Sequence, residues 1–232
     1  MIDIYALTSP TVQRIFLMVE ECGLKYSIKP VDVWNEEQYK PEFLKINPLA
    51  KVPAIVDHDG PGGTPYTLFE SGAILIYLAE KTSKFIPHDP VKRYDTLQWL
   101  FVQTSSVGPM FGQLVHWSKF APQPQEYGNT RYRSQVLKLY DLFEQRLSAN
   151  AYLIGSDYTI ADIAAFPWLR NVALLNIDLA KFPAIKKYVE TIEAREATKR
   201  MLAILPTLKS VREKATDEQK DRFFSRGKFA RA

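Results

Sequence analysis

Few residues in this 232-residue chain can carry chemistry alone, which narrows the options early. One cysteine, Cys22, allows neither an internal disulfide nor a Cys-x-x-Cys pair for redox work or zinc, so any thiol chemistry must borrow its thiol. Cys22 sits late in an amphipathic run and reads as a packed, inert thiol. His58, His88 and His116 are scattered without metal-ligand spacing, and no metal is assigned. The more informative groups are short polar clusters at expected helix starts. Glu70-Ser71 precedes an apolar helical run, where free N–H groups and the positive end of the helix dipole favour an anion. Ser9-Pro10-Thr11 precedes another, where a hydroxyl and a helix terminus can donate to a thiolate and lower its pKa from the usual value near 8.5. Val52-Pro53 opens a buried strand, a place a proline tolerates when its peptide bond is cis and the chain turns sharply.

The elements that must position these groups fall into two kinds. Ile2–Leu7, Tyr26–Val31, Val52–Val56 and Tyr66–Phe69 read as strands, with Tyr5 packed inside the first. Thr11–Cys22 reads as a helix with Ile15, Met18 and Val19 on one face and Gly23 as its C-cap. A second helix is expected over Gln38–Lys45, opened by Gln38, and a third over Gly72–Glu80, capped by Ser71. Gly60-Pro61-Gly62-Gly63 turns the last two strands into an antiparallel hairpin. Beyond the Pro-bearing stretch 84–90 the strand signals largely stop, and helices are expected at 91–119, 126–148, 160–171, 182–194 and 197–204. Thr159-Ile160-Ala161-Asp162 is a capping box, a structural rather than catalytic feature. The expected class is α/β followed by all-α, divided into 1–83, a linker 84–90, a helical part 91–205 and a basic extension 206–232.

Composition sets the outer limits. Hydrophobic residues make up 46% and charged residues 24%, ordinary for a soluble globular protein, and no apolar run approaches the roughly 20 residues of a membrane span. Met1-Ile2-Asp3-Ile4-Tyr5 enters a strand without the features of a signal peptide, so a cytoplasmic location is expected. The net charge is +4, and from Thr207 onward eight Lys/Arg face four Asp/Glu. With no aromatic-interleaved basic groove beside it, this extension reads as a solvated helical tail, and no nucleic-acid partner is expected.

Taken together, Val52-Pro53-Ala54-Ile55, Phe69-Glu70-Ser71-Gly72-Ala73-Ile74, and Leu153-Ile154-Gly155 followed by Thr159-Ile160-Ala161-Asp162 resemble the cytosolic glutathione transferases over roughly residues 1–205. Pro41-Glu42-Phe43-Leu44, Leu97-Gln98-Trp99-Leu100-Phe101 and Gly108-Pro109-Met110 resemble the bacterial Nu class and its fungal nitrogen-regulator-like relatives. The resemblance implies a thioredoxin-like βαβ-α-ββα domain, a helical-bundle domain, a homodimer and glutathione as co-substrate. It implies a cis bond at Pro53, with the Val52 backbone pairing with the cysteinyl part of glutathione. It further implies that Ser71 and Glu70 hold the γ-glutamyl carboxylate and ammonium, that Gln38 reaches the glycyl end, and that Arg131 closes over the ligand. The chain departs from the class at Ser9-Pro10-Thr11-Val12, where relatives usually carry Thr-Pro-Asn-Gly, leaving Thr11 or Ser9 as thiolate donor. Met110, Phe111, His116 and Trp117 are expected to line the second-substrate cleft. The activity implied first is reduction of small disulfides without a protein cysteine; conjugation, peroxide reduction and ether cleavage use the same thiolate, and a non-catalytic binding protein is the competing class.

Overall fold

A computed structural model describes residues 1–122, 125–208 and 214–230. Four strands, β1 (Ile2–Ala6), β2 (Tyr26–Pro30), β3 (Ala54–Asp57) and β4 (Tyr66–Phe69), form one sheet in the order β2-β1-β3-β4. β1 and β2 are parallel, Ile2 facing Tyr26 and Ile4 facing Ile28, which obliges the crossover helix α1 (Pro10–Cys22) to lie on a sheet face. β3 runs antiparallel to β1 and to β4, the hairpin closing through Gly60–Gly63 as the turn residues predict. β3 begins two residues later than the sequence suggests, because Val52 and Pro53 stay outside the ladder and the Val52–Pro53 bond is cis.

α1 is apolar on more than one face because it is covered on both sides. It packs against α3 (Ser71–Thr82) and, across the molecule, against α7 (Ile160–Leu169) and α10 (Glu196–Ile204). Val12 and the run Ile15–Val19 are completely buried, each such side chain contributing about 1.5–3 kcal/mol of hydrophobic stabilisation. Gly23 takes a left-handed φ of 69°, and the following Leu24 amide reaches back to the Val19 carbonyl at 3.0 Å. The expected helix 38–45 is shorter: Glu36 adopts φ 62°, Gln38 lies in a 3₁₀ turn Glu37–Tyr39, and only α2 (Pro41–Leu44) is helical, started by its proline.

After β4 all longer elements are helical. α4 (Pro90–Val102), a π turn Gln103–Val107, α5 (Gly108–Val115) and a second π turn His116–Phe120 form almost one rod, matching the expected 91–119. α6 (Glu126–Ser148) falls where expected; α7 ends at Leu169, and α8 (Val172–Leu175), α9 (Pro183–Glu193) and α10 complete the bundle. The capping box is formed: the Thr159 hydroxyl accepts from the Ala161 amide at 3.3 Å, and Asp162 accepts from the Thr159 amide at 2.9 Å. Asp162 also accepts from the Leu153 amide at 2.9 Å and the Tyr188 hydroxyl at 3.2 Å, tying the preceding loop to α9.

The two halves are clamped together. Arg195 grips Glu21 of α1 with two hydrogen bonds of 2.5 and 2.9 Å while lying over the Tyr158 ring at 4.0 Å. The C-terminal extension departs from the expectation of a solvated tail: α11 (Asp217–Phe223) folds back onto the molecule, and Phe223 and Phe224 pack against Trp34 and Phe120. Lys209, Arg212 and Arg231 of that basic extension lie outside the described residues. No described helix is long and apolar enough to cross a membrane.

Candidate functional site

Two helix starts and one strand start converge on a cleft of about 410 Å³ between the sheet half and the α4–α5 rod. Its floor and walls include Thr11, Val52, Pro53, Glu70 and Ser71 from the first half and Thr104 and Gln113 from the second. Val52 faces the cleft with its backbone N–H and C=O unpaired among the described residues, as an edge ready to accept an extended ligand requires.

The start of α3 differs in one detail from the sequence reading. Glu70, not Ser71, is the N-cap, held at φ 67° and ψ 108°, a left-handed φ that costs a non-glycine residue of order 1–3 kcal/mol and clusters at binding sites. Ser71 is the first helical residue and buried. Its Oγ accepts a hydrogen bond of 3.1 Å from the Arg14 guanidinium, whose same nitrogen donates to Gln103 Oε1 at 2.6 Å. Because the Oγ already accepts, its own proton is free to donate into the cleft. Burial pushes Arg14 down to about 9, with Glu70 pulling it back up, so it stays charged at neutral pH and adds positive potential beneath the α3 terminus. Arg14 belongs to the site and is absent from the sequence reading; an arginine at 2% exposure inside an apolar helix was the available signal only once burial was known.

At the start of α1 the two candidate hydroxyls separate. Ser9 is the N-cap, its Oγ accepting from the Val12 amide at 3.2 Å, and it borders a different cavity. Thr11, the second residue of α1, borders the cleft, and neither its amide nor its hydroxyl has a partner among the described residues. Lys51, also missed from sequence, borders both cavities; its loop is fixed by Asn47, which donates to the Lys51 carbonyl at 2.7 Å and accepts from the Leu49 amide at 3.0 Å.

The second cavity, about 380 Å³, meets the cleft at Lys51 and Val52 and is walled by aromatic groups including Trp34, His116 and Phe120. Of the four residues expected there, only His116 borders it. Phe111 is fully buried in the bundle core, stacked on Tyr140 at 5.5 Å and edge-on to Trp168 at 5.8 Å, because it lies on the α5 face toward α6 and α7. Trp117 packs on Gly128, where even a Cβ would lie 2.5 Å from its ring, and Met110 is half-buried against the core. Gln38 is buried in its 3₁₀ turn and Arg131 is exposed on α6; neither borders the two cavities. Burial pushes the Cys22 thiol up, its sulfur 3.4 Å from the Thr82 hydroxyl, far from thiolate chemistry.

The chain matches the family descriptions "Glutathione S-transferase, N-terminal domain" over residues 8–81 and "Glutathione S-transferase, C-terminal domain" over residues 107–196. It is 46% identical over 199 residues to the disulfide-bond oxidoreductase YfcG of Escherichia coli, spanning 85% of this chain and 93% of the relative. A glutathione transferase family member from Pseudomonas fluorescens, solved with two glutathiones bound, superposes with a TM-score of 0.82 at 38% identity, covering 87% of this chain and 92% of that one. A glutathione transferase from Pseudomonas putida, solved with one glutathione disulfide per subunit, gives 0.82 at 36% identity over 88% and 91%.

Proposed function

From the premise that this chain belongs to the glutathione transferase family, we propose that it reduces small disulfides with glutathione, using the glutathione thiolate as nucleophile and no protein cysteine. The observation that carries this reading is the meeting of a polar cleft and an aromatic cavity at Val52 and Lys51, beside the unpartnered N–H and O–H of Thr11. Glutathione lies extended in the cleft. Its γ-glutamyl carboxylate takes the Ser71 hydroxyl and the free amides of the α3 terminus, with Arg14 behind them, and its ammonium faces Glu70. The cysteinyl amide and carbonyl pair with Val52 as an added strand would.

This binding mode delivers the sulfur to the junction of the two cavities, against the α1 terminus. There Thr11 donates to the thiolate and lowers its pKa; one charge-assisted hydrogen bond is worth about 1.5–3 kcal/mol, one to two pKa units. The thiolate attacks one sulfur of a disulfide held in the second cavity, forming a mixed disulfide and expelling a thiolate that takes a proton from water. A second glutathione then attacks the glutathionyl sulfur, releasing the second thiol and glutathione disulfide. Holding the reacting sulfurs in contact supplies the rest of the acceleration.

A homodimer is part of the reading. Val91, Tyr94 and Phe101 of α4 are 70%, 72% and 59% exposed, an apolar stripe that a second copy would cover. Product analysis tests the activity: with bis(2-hydroxyethyl) disulfide, each disulfide consumed should yield one glutathione disulfide and two molecules of 2-mercaptoethanol. Accumulation of a stable S-substituted glutathione, or no consumption above the uncatalysed rate, would defeat it.

A further inference from the structure

The C-terminal segment is fastened to both halves of the molecule beside the second cavity. Gln219 Nε2 donates to Asn35 Oδ1 at 3.0 Å, and Arg222 pairs with Glu36 at 3.2 Å, on the loop after β2. Arg226 pairs with Asp221 at 2.6 Å and donates to the Phe120 carbonyl in the second π turn of the helical half. Such exposed ion pairs hold little by themselves. The anchor is aromatic: Phe223 stacks on Trp34 at 4.5 Å and 29°, while Phe224 lies 4.6 Å from His116 and 5.1 Å from Phe120. Both phenylalanines border the cavity of about 380 Å³.

That size is near the lower end for ligand pockets and ample for a ring-bearing substituent. The wall is largely apolar, its polar side chains being Thr8, Ser9, Lys51 and His116, and burial together with nearby Arg226 holds the His116 ring below its usual range, so it brings no charge at neutral pH. A substituent carrying carboxylates and an ammonium would be stripped of water there with a single lysine in return, whereas a ring would exchange water for aromatic contact. Beside it lies an opening of about 520 Å³ bordered by Gln13, Lys119 and Asn171.

Resting on the disulfide-reductase reading above, we propose that Phe223 and Phe224 complete the second-substrate cavity and make the enzyme select disulfides that carry one small aromatic or branched apolar substituent. With benzyl 2-hydroxyethyl disulfide, the glutathione thiolate attacks the benzyl-bearing sulfur lodged in the cavity. The S–S bond breaks, and its electron pair leaves with 2-hydroxyethanethiolate, which is protonated by water. A second glutathione attacks the glutathionyl sulfur of the new mixed disulfide, giving glutathione disulfide and phenylmethanethiol.

The full-length chain is compared with Phe224→Ala, Phe223→Ala and the bulk-conserving Phe224→Leu, using benzyl 2-hydroxyethyl disulfide and bis(2-hydroxyethyl) disulfide. The expected wild-type preference in kcat/KM for the benzyl substrate is roughly tenfold or more, collapsing toward unity through KM in both alanine variants and largely retained in Phe224→Leu. A wild-type ratio near one, or a ratio unchanged by the alanine substitutions, overturns the proposal. Calorimetric titration with S-benzylglutathione and S-methylglutathione requires no turnover. There the benzyl ligand should bind about tenfold tighter to wild type and lose that advantage in Phe224→Ala. Equal affinities would reject the selectivity even if disulfide reduction stands, and absence of turnover with the binding difference intact would reject the reaction alone.

Discussion

The Ser9 Oγ accepts the Val12 amide at 3.2 Å and is committed to starting α1, while Thr11, in the same turn, keeps an amide and a hydroxyl free at the cleft. Ser9→Ala should therefore act chiefly on stability, by about 0.5–2 kcal/mol, read from the denaturation midpoint. Thr11→Ala should instead raise the pKa of the bound glutathione thiol by about one unit, measured by thiolate absorbance against pH in the binary complex, because the Thr11 amide remains to donate. A normal stability with an unmoved thiol pKa would take Thr11 out of the site. Ser71→Ala removes a hydroxyl that the Arg14 contact leaves free to donate; glutathione affinity should fall by about 10- to 100-fold in calorimetry, the worth of a hydrogen bond to a charged group. At this scale the sequence was informative where a residue's type sufficed, as at Glu70-Ser71 and Val52-Pro53, both on the cleft wall. Facing direction was harder to read: Phe111 points into the core rather than into the second cavity.

Elements were legible wherever one periodicity persisted. All four strands and the long helices lie close to the stretches that period 2 and period 3.6 select, since their burial is one- or two-sided as the pattern assumes. The region 38–45 failed because the left-handed Glu36 and the start at Pro41 break one amphipathic run into a 3₁₀ turn and one short helix. The α7 capping box was readable, yet its burial was not, and burial gives it a titration. Desolvation lifts the Asp162 carboxyl from an ordinary 3.8 to about 6, against the hydrogen bonds from Leu153, Thr159 and Tyr188. The folded chain thus holds a proton that the unfolded chain has released between these values. That contribution is fully present below the ordinary value and is lost as pH rises through about 6. The stability difference between wild type and Asp162→Asn, from urea unfolding, should therefore be more favourable to wild type at about pH 4 than at pH 7. A gap independent of pH would contradict it.

For the molecule as a whole, contacts far apart in sequence were the hardest to foresee. Arg14 reaches Gln103 across 89 residues, and the basic C-terminal run, notable in the sequence for its charge, docks through Phe223 and Phe224 instead. The exposed α4 stripe belongs to the same scale. The 26.6 kDa chain should sediment at roughly twice its mass. Tyr94→Glu with Phe101→Glu should shift it to a monomer, burying charge where a second copy would sit. A wild type that sediments as a monomer would remove the dimer from the account.

Reduction of disulfides by a borrowed thiolate formed beside Thr11 is tested by initial rates with glutathione and bis(2-hydroxyethyl) disulfide, run beside conjugation of a chloronitrobenzene. Disulfide reduction should run well above both the uncatalysed rate and the conjugation rate, with about a tenfold loss in Thr11→Ala, one pKa unit of activation. Conjugation exceeding disulfide reduction, or no turnover of either while glutathione still binds, would contradict it.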